Sequence, residues 1–422
     1  MDDYIPENVN LFKKRTTNDV IRKRHTEILD PVTNLETNSE VISFRFDTRD
    51  DNVYIDLSET ELEMTVQVTK KDGTAITNDS GQYGVISNLS NSLISNLEFS
   101  INNKIIDQVW AYPYVAYYHT LFNLPQKSPG DKEVEQLFNI DEANLDTTVA
   151  NNASNLADLN LGLLSRWTKI KNSKKYLMRS KLYSNLITTD HLILPGVDIA
   201  LKLRRNADSF CLMDDENNEV KIKIVSAKLR LTTVELNEDV HLAHLDVLNE
   251  SNANYSFQET ALQTHVLSKD QRSFDLNNVY TEEQDSILMF FVQTDAASGS
   301  LQHNPFEFIH ENVQEITIKQ DDKLYTYKLD FENNNVLPAY TALKKRYPHL
   351  DLRFDLYGLY PFFYFQLRPR GLFKNLENKS KVDLHIQFKD HLKRNVTLFL
   401  LSENCKEFQI DKEGNILLQH EY

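Results

Sequence analysis

Two of the twelve histidines have the most suggestive spacing for chemistry, because His241 and His244 stand three residues apart in "HLAH". On a helix this spacing places both imidazoles on one face, where they could bind a metal ion. The nearest further ligand is Asp246, and the chain has no H-E-x-x-H pattern. The spacing therefore favours a solvated linker helix over a metal centre, and we predict no metal site and no cofactor.

The other candidates for catalysis also fit structural roles better. Asp190 and His191 are adjacent, and neighbours on a strand face opposite ways, so they cannot form a base and the group that orients it. Cys211 lies in the apolar "SFCLM" and is expected to be a small buried residue. Only ten glycines are present, and they form neither a phosphate-binding loop nor a nucleophile elbow. We therefore predict no catalytic residues and no enzymatic activity.

Residues 110 to 124, "WAYPYVAYYHTLFNL", concentrate aromatic side chains beside a histidine. Such a stretch could line a ligand site, stack on bases or fill a core. Pro113 suits the first turn of a helix, and the aromatic residues that follow recur at helical spacing. We predict a helix that packs against its own sandwich or a neighbouring subunit, with His119 as a hydrogen-bonded neighbour rather than a catalyst. The packing or interface candidates in this stretch are Trp110, Tyr114, Tyr117, Tyr118 and Phe122.

The composition limits the partners of the chain. Its 422 residues carry a formal charge of -16, which argues against a body that wraps nucleic acid. Two cysteines cannot build a disulfide framework, and the sequence shows neither an apolar signal segment nor a run of about 18 apolar residues. We therefore expect a soluble protein of a reducing intracellular environment, without membrane insertion.

Basic residues are concentrated in residues 1–38, an N-terminal arm without strand alternation. Such an arm can make a weak contact with nucleic acid or an inner shell, serve as a nuclear import signal, or lie on an acidic neighbouring subunit. A plain solvated tail is a further alternative. The candidates for assembly or phosphate contact are Lys13, Lys14, Arg15, Arg22, Lys23 and Arg24.

Two-residue alternation of apolar and polar side chains is the dominant local pattern, as in "VDIALKL" (197 to 203) and "VDLHIQF" (382 to 388). It predicts half-buried strands of antiparallel sheets, separated by turns rich in Asn and Asp. Helical patterning is confined to a few short places. The predicted class is all-β with short inserted helices.

Parts of the sequence occur twice in the same order. A strand followed by a Pro-initiated helix occurs at Pro113 and again at Pro338, where Tyr340 is the interface candidate. The offset of 225 residues falls to 185 between Val197 and Val382, which implies a long insertion in the first unit. We predict two tandem β-sandwiches, comprising residues 39–240, with the insertion near 125–175, and residues 241–422.

Several segments together resemble one family, the double jelly-roll major capsid proteins of the Polinton/Maverick and adintovirus-like group, which includes capsid-derived animal proteins. These segments include "EMTVQVTKKDG", "ISNLEFSINNKIIDQVWAYPYVAYYHTLFN" and "LYSNLITTDHLILPGVDIALKLRRNADSFCLM", and the resemblance extends over about residues 40 to 420. It implies two tandem jelly-roll sandwiches of two four-stranded sheets each. It also implies that three chains form a pseudo-hexagonal capsomer.

The leading functional hypothesis is a viral or virus-derived major capsid protein that forms homotrimers and an icosahedral shell. Its expected partners are neighbouring capsomers and a vertex (penton) protein. Its expected location is the virion, after synthesis in the host cytoplasm, with assembly in the host nucleus left open. The alternatives are a double jelly-roll enzyme or carbohydrate-binding protein, and a minor vertex capsid protein.

Overall fold

The computed structural model describes residues 20–35, 40–47, 52–77, 79–122, 134–141, 143–150, 159–187, 189, 191–215, 219–350, 352–368 and 379–418. Their strands form five antiparallel sheets. Among these residues, no strand of 21–236 joins a sheet of 253–418. The chain therefore has two halves, each of which builds its own sheets.

The first half contains ten strands, which are β1 (Ile21–Leu29), β2 (Val41–Asp47), β3 (Val53–Lys70), β4 (Tyr83–Val85), β5 (Ile94–Ile101), β6 (Lys104–Val109), β7 (Tyr176–Lys181), β8 (Asp198–Arg205), β9 (Leu212–Asp214) and β10 (Val220–Leu236). One sheet has the order β1-β10-β3-β7, and the facing sheet has the order β2-β8-β5-β6. The short strands β4 and β9 form a separate pair.

The second half also contains ten strands, which are β11 (Ala253–Leu267), β12 (Ser273–Glu282), β13 (Ser286–Gln293), β14 (Phe308–Ile309), β15 (Val313–Gln320), β16 (Lys323–Lys328), β17 (Phe363–Gln366), β18 (Lys379–Phe388), β19 (Val396–Ile410) and β20 (Ile416–Leu418). One sheet contains β11-β19-β13, with β14 and β17 paired to β13 and β20 paired to β19. The other has the order β12-β18-β15-β16.

The strand order identifies each half as a jelly roll. If the eight main strands are counted along the chain, with the short pair β4 and β9 left out, the first half pairs them as 1-8-3-6 and 2-7-4-5. With β14 and β20 left out, the second half pairs its eight strands in the same two orders. Two sheets joined in this way are the double Greek key of the jelly roll. The predicted fold class, an all-β double jelly roll with short helices, is confirmed.

The described helices include α1 (Leu89–Ser92), α2 (Tyr112–Phe122), α3 (Leu161–Ile170), α4 (Asp208–Cys211), α5 (Glu238–Glu250), α6 (Thr294–Ser298), α7 (Leu337–Arg346) and a 3₁₀ helix (Phe354–Leu356). α2 follows β6 and α7 follows β16, which hold the same place in their two sheets. Pro113 and Pro338 lie in the first turn of these helices, as predicted, because a Pro there gives up no hydrogen bond.

The core of each jelly roll forms where alternating apolar side chains of its two sheets meet. In β3, Leu62, Met64 and Val66 are buried, while the residues between them are partly exposed. In the second half, Ile316 and Ile318 of β15 are buried in the same way. Each such side chain contributes about 1.5–3 kcal/mol when it is removed from water. Most buried apolar residues of the two halves belong to one continuous cluster.

The expectation that the N-terminal arm lacks a strand was wrong for residues 21–29. They form β1, which pairs with β10 from Leu29 beside Leu229 to Ile21 beside Leu236. β1 is the edge strand of its sheet, and most of its side chains are exposed on both faces. The sequence therefore shows no apolar alternation, although the backbone pairing is regular.

The insertion of the first half is less exposed than a long surface loop. Its described part includes α3, where Leu163, Arg166 and Trp167 are buried, and the preceding Leu137 and Phe138 are also buried. The side chain of Asn160 caps α3 by accepting from the backbone N–H of Leu163 at 3.0 Å. Part of the insertion is therefore a helix with a buried face.

Candidate functional site at the junction of the two halves

The helix α2 is buried over almost its whole surface. Eight of its residues and Thr120 are buried, and the eight are Tyr112, Pro113, Tyr114, Val115, Ala116, Tyr117, Tyr118 and Phe122. A helix that is apolar on all sides must be covered on all sides. One jelly roll can cover only one face, so the opposite face needs a second partner.

The first face of α2 packs on its own jelly roll. The hydroxyl of Tyr112 donates to Oδ1 of Asn91 at 3.1 Å and accepts from the backbone N–H of Tyr183 at 3.1 Å. His119 stacks on the ring of Tyr183 with a centroid distance of 5.2 Å. Burial lowers the pKa of His119 to about 4, so the imidazole is neutral at pH 7 and is poorly suited to act as an acid.

The second face of α2 packs on the second half of the chain. The ring centroid of Tyr114 lies 4.2 Å from that of Phe399 in β19, and Tyr117 stacks on Phe306 at 4.3 Å. Phe290 of β13 also contacts Tyr114, at 6.0 Å. Aromatic pairs of this geometry are worth about 0.5–1.5 kcal/mol each beyond the area that they bury.

This junction explains why β13, "SILMFFVQ", is apolar on both faces. Phe291 points into its own sandwich, where it contacts Phe388 of β18, whereas Phe290 points towards α2. All of its residues from Ser286 to Val292 are buried. The helix packs against the second half as well as its own sandwich, which the sequence-based expectation did not include.

A buried carboxylate, Glu403 of β19, fixes the polar end of the junction. Its Oε1 accepts from the hydroxyl of Tyr118 at 2.8 Å, and its Oε2 accepts from Ser286 at 2.7 Å. Nη2 of Arg346 lies 2.9 and 3.0 Å from the two oxygens. The hydroxyl of Tyr118 also lies 2.6 Å from that of Tyr347. Burial is the main cause that raises the pKa of Tyr118, and the charge of Glu403 raises it further. The hydroxyl of Tyr118 therefore keeps its proton and remains a hydrogen-bond donor.

A second buried ion pair connects the insertion to the second half. Arg166 of α3 is 0% exposed, and its guanidinium forms two parallel hydrogen bonds with Asp141, at 3.0 and 3.1 Å. Oδ2 of Asp141 also accepts from the side-chain amide of Asn304 at 3.3 Å. The backbone carbonyl of Asp141 accepts from the hydroxyl of Tyr360 at 2.6 Å.

A cluster of titratable groups lies where the insertion meets the loop before β14. Asp146 accepts from the backbone N–H of Asn304 at 2.7 Å, and its Oδ2 lies 2.8 Å from Nδ1 of His303. Burial and the neighbouring Asp146 raise the pKa of Glu307 to about 7, although Arg394 and His303 oppose this shift. Glu307 is therefore partly protonated near neutral pH.

The remaining packing candidates lie outside the centre of the junction. Trp110 is 60% exposed at the end of β6, directly before α2. Phe122 contacts Tyr347 at 4.7 Å across the junction. Tyr340 packs within the second half, where its ring meets Phe354 at 5.1 Å and its hydroxyl donates to the carbonyl of Leu352.

The described part of the basic arm lies on the first half. Arg22 pairs with Glu235 at 2.9 Å, and Arg24 pairs with Asp56 at 2.9 Å. Lys23 is exposed. The other three candidates, Lys13, Lys14 and Arg15, lie outside the described residues.

The histidine pair lies on α5, as the spacing predicted. The hydroxyl of Tyr54 lies 2.9 Å from Nδ1 of His244 and 3.3 Å from Nδ1 of His241. Within the described residues, no group of three His, Cys, Asp or Glu side chains could hold a metal ion. Cys211 is buried, and burial raises the pKa of its thiol. In the same part of the chain, no helix is long and apolar enough to span a membrane.

The chain matches no protein-family model and no curated protein sequence. Three solved structures are similar over nearly their whole length. A chain of the Sputnik virophage structure determined by cryo-EM has a TM-score of 0.64 at 9% identity, over 99% of this chain and 93% of that one. The mavirus major capsid protein gives 0.54 at 10% identity, over 98% and 94%. The Faustovirus major capsid protein gives 0.52 at 8% identity, over 97% and 92%.

The chain has the double jelly-roll fold. At such low identity the likeness concerns the fold alone, and it agrees with the strand order of both halves. Sequence reasoning found α2 but missed Glu403, Asp141 and Arg166. The only signal for Glu403 was a single acidic residue after the apolar run "VTLFLLS" of β19.

Proposed function

We propose that the chain is a viral or virus-derived major capsid protein of the Polinton/Maverick and adintovirus-like group. It assembles as homotrimers, and each trimer forms a pseudo-hexagonal capsomer of an icosahedral shell. The protein acts by self-assembly and not as an enzyme. Its partners are neighbouring capsomers and a vertex protein, and its location is the virion.

The observation that carries the proposal is the pair of equivalent jelly rolls joined by a buried junction. The halves share one strand order and equivalent helices, α2 and α7. Three such chains supply six similar units, and a head-to-tail contact closes into a ring when its rotation divides a full turn. The mavirus and Faustovirus proteins that share the fold are major capsid proteins, which supports the same role here.

The proposal assigns the units as residues 39–240 and 241–422, with α5 at their boundary. The proposal places Trp110 in the trimer contact, because its side chain is 60% exposed and Trp is enriched among the residues that dominate binding at interfaces. The chain is made in the host cytoplasm, and the host nucleus is the proposed place of assembly because the Lys/Arg cluster of the arm can serve as an import signal.

The test is the mass of the purified chain in size-exclusion chromatography with light scattering. We expect three times the 49.1 kDa of the single chain at micromolar concentration. Trp110→Ser is expected to weaken the trimer at least tenfold while the melting temperature of the subunit stays nearly unchanged, since each tenfold change in affinity corresponds to about 1.4 kcal/mol.

The control is Leu161→Ser, which changes another exposed apolar residue and should leave the trimer intact. A stable monomer of the unchanged chain would overturn the proposal. Negative-stain images of the same sample should show triangular or hexagonal particles.

A further inference from the structure

The linker helix α5 presents an apolar stripe to solvent. Leu242 and Leu245 are 50% and 41% exposed and lie one turn apart on the outward face. The inward face packs Val240 against the small cluster of Tyr54, Val234 and Leu236. The outward apolar stripe therefore has no role in joining α5 to the first half.

Acidic side chains border this stripe. Glu238, Asp239, Asp246 and Glu250 lie on the same helix, which has no Lys or Arg. Asp239 and Asp246 are three residues before and four residues after Leu242, so all three lie on the same face. A partner for this face must bring apolar side chains together with positive charge.

The N-terminal segment leaves the described structure at the beginning of this helix. The carbonyl of Val20 accepts from the backbone N–H of Asn237, the N-cap residue of α5, at 2.9 Å. Two residues later, Arg22 pairs with Glu235. Residues 1–19 therefore start from a fixed point next to the first turn of α5.

The sequence of this segment complements the helix face. It contains the apolar pair Leu11 and Phe12, directly followed by Lys13, Lys14 and Arg15. Phe12 is eight residues from Val20, and eight extended residues reach about 26 Å. The 13 residues of α5 span about 20 Å, so the apolar pair can reach every turn of the helix.

We propose that residues 11–15 dock on the outward face of α5 in the same chain. Leu11 and Phe12 cover Leu242 and Leu245, and the basic triplet lies beside the acidic border. The docking does not depend on trimer formation, so it can hold or fail independently of the capsid proposal. An anionic membrane is a poor alternative occupant, because the acidic border repels anionic lipid headgroups.

Hydrogen exchange of the full chain tests the docking. The triple variant Lys13→Glu, Lys14→Glu, Arg15→Glu is expected to speed the exchange of amides in residues 241–250 by about tenfold, because repulsion releases the segment and the helix opens more often. Adding Asp239→Lys and Asp246→Lys should restore the slow exchange.

The matched control is Lys319→Glu, Lys323→Glu, Lys328→Glu, which makes the same charge change at exposed positions of β15 and β16. It should leave exchange in α5 unchanged. Equal exchange in the unchanged chain and the Lys13/Lys14/Arg15 variant would overturn the proposal.

Disulfide trapping identifies the occupant directly. Phe12→Cys with Leu245→Cys should form a disulfide within one chain under mild oxidation, whereas Phe12→Cys with the exposed Leu177→Cys on β7 should not. A disulfide between two chains would assign the face to a second copy and overturn docking in the same chain. Retention of the segment on a DNA duplex at physiological salt, with no disulfide formed, would assign it to nucleic acid and also overturn the proposal.

Discussion

Glu403 and Asp141 are the residues that determine how the two halves meet. Each is a buried carboxylate that accepts hydrogen bonds from both halves of the chain. Displacing the halves would take Tyr118 away from Glu403 and Asn304 away from Asp141, although each carboxylate would keep the Arg of its own half. A hydrogen bond to a charged group contributes about 1.5–3 kcal/mol, so these two contacts favour the observed arrangement among those that the aromatic contacts would tolerate.

Glu307 gives the junction a dependence on pH. Its folded pKa is raised to about 7 by burial and by Asp146, from an ordinary value of 4.5. A raised pKa means that the protonated acid favours the folded state. This stability is fully present below pH 4.5 and is lost as the pH rises through about 7.

We therefore expect Glu307→Gln to change the pH profile of stability. Above pH 8, the variant should be more stable than the unchanged chain by about 1–3 kcal/mol, because the amide avoids the cost of burying a charge and also the repulsion from Asp146. Near pH 4, the two should unfold alike. Urea unfolding at several pH values measures the difference, and Glu315→Gln on the partly exposed strand β15 is the control. Parallel pH profiles would contradict the assignment.

At the scale of elements, the equivalent helices α2 and α7 differ in how much of their surface is buried. Tyr117 of α2 stacks between the halves, and the residue at the same offset in α7 is Ala342, which is partly buried. α2 is covered on both faces, whereas α7 buries only Ala339 and Leu343 among its residues. The two helices therefore hold equivalent places in their jelly rolls but present different surfaces.

Truncation of Tyr117 should weaken the junction more than the individual jelly rolls. We expect Tyr117→Ala to cost about 3–5 kcal/mol, as for other large aromatic residues of a core. Hydrogen exchange should quicken on α2 and on β14 together, because Tyr117 contacts Phe308 of β14 as well as Phe306. Tyr340→Ala, which removes an aromatic ring inside the second half only, should affect α7 but not β14. Similar effects of the two variants would contradict a special role for Tyr117.

Much of this arrangement could be predicted from the sequence, and the exceptions have physical causes. Two-residue alternation identified β8 and β18 as strands. The Pro-initiated pattern identified α2 and α7 as helices and showed that the same order of elements occurs twice. The strand β1 was not predicted because an edge strand exposes both faces. The packing partners of α2 were not predicted because a helix that is apolar on all sides must be covered, but its sequence does not show which elements cover it. The ion pairs of Glu403 and Arg166 were not predicted because pairing between distant residues leaves no local pattern.

At the scale of the whole molecule, the described halves share no sheet. They are joined by side-chain contacts, by the linker with α5 and by a backbone hydrogen bond from the N–H of Asp214 to the carbonyl of Leu301 at 2.9 Å. Continuous apolar contact of this kind is expected to persist without the covalent link. The linker then serves mainly to keep the halves at a high effective concentration.

Cutting the linker tests this division. A chain with a protease site inserted after Ser251, at the exposed end of α5, should remain one particle after complete cleavage, with both fragments in a single chromatographic peak. After the same cut in the Tyr117→Ala background, the halves should separate at a lower urea concentration, because the stacking on Phe306 is lost while the contacts of Tyr114 and Phe122 remain. Separation of the fragments in the unchanged background would show that the covalent link holds them together.

The distance along the chain between the two sides of the junction also bears on how the protein is made. Tyr114 is synthesised early, whereas Phe399, its contact in β19, follows about 285 residues later. At roughly 5–20 residues per second, a ribosome needs about 15–60 s to cover that distance. During this time the growing chain exposes the aromatic face of α2 to solvent. Over that interval the nascent chain must be protected by chaperones, or its aggregation must be slow. Low temperature and chaperone supply should therefore improve the yield of the whole protein more than that of the isolated second half.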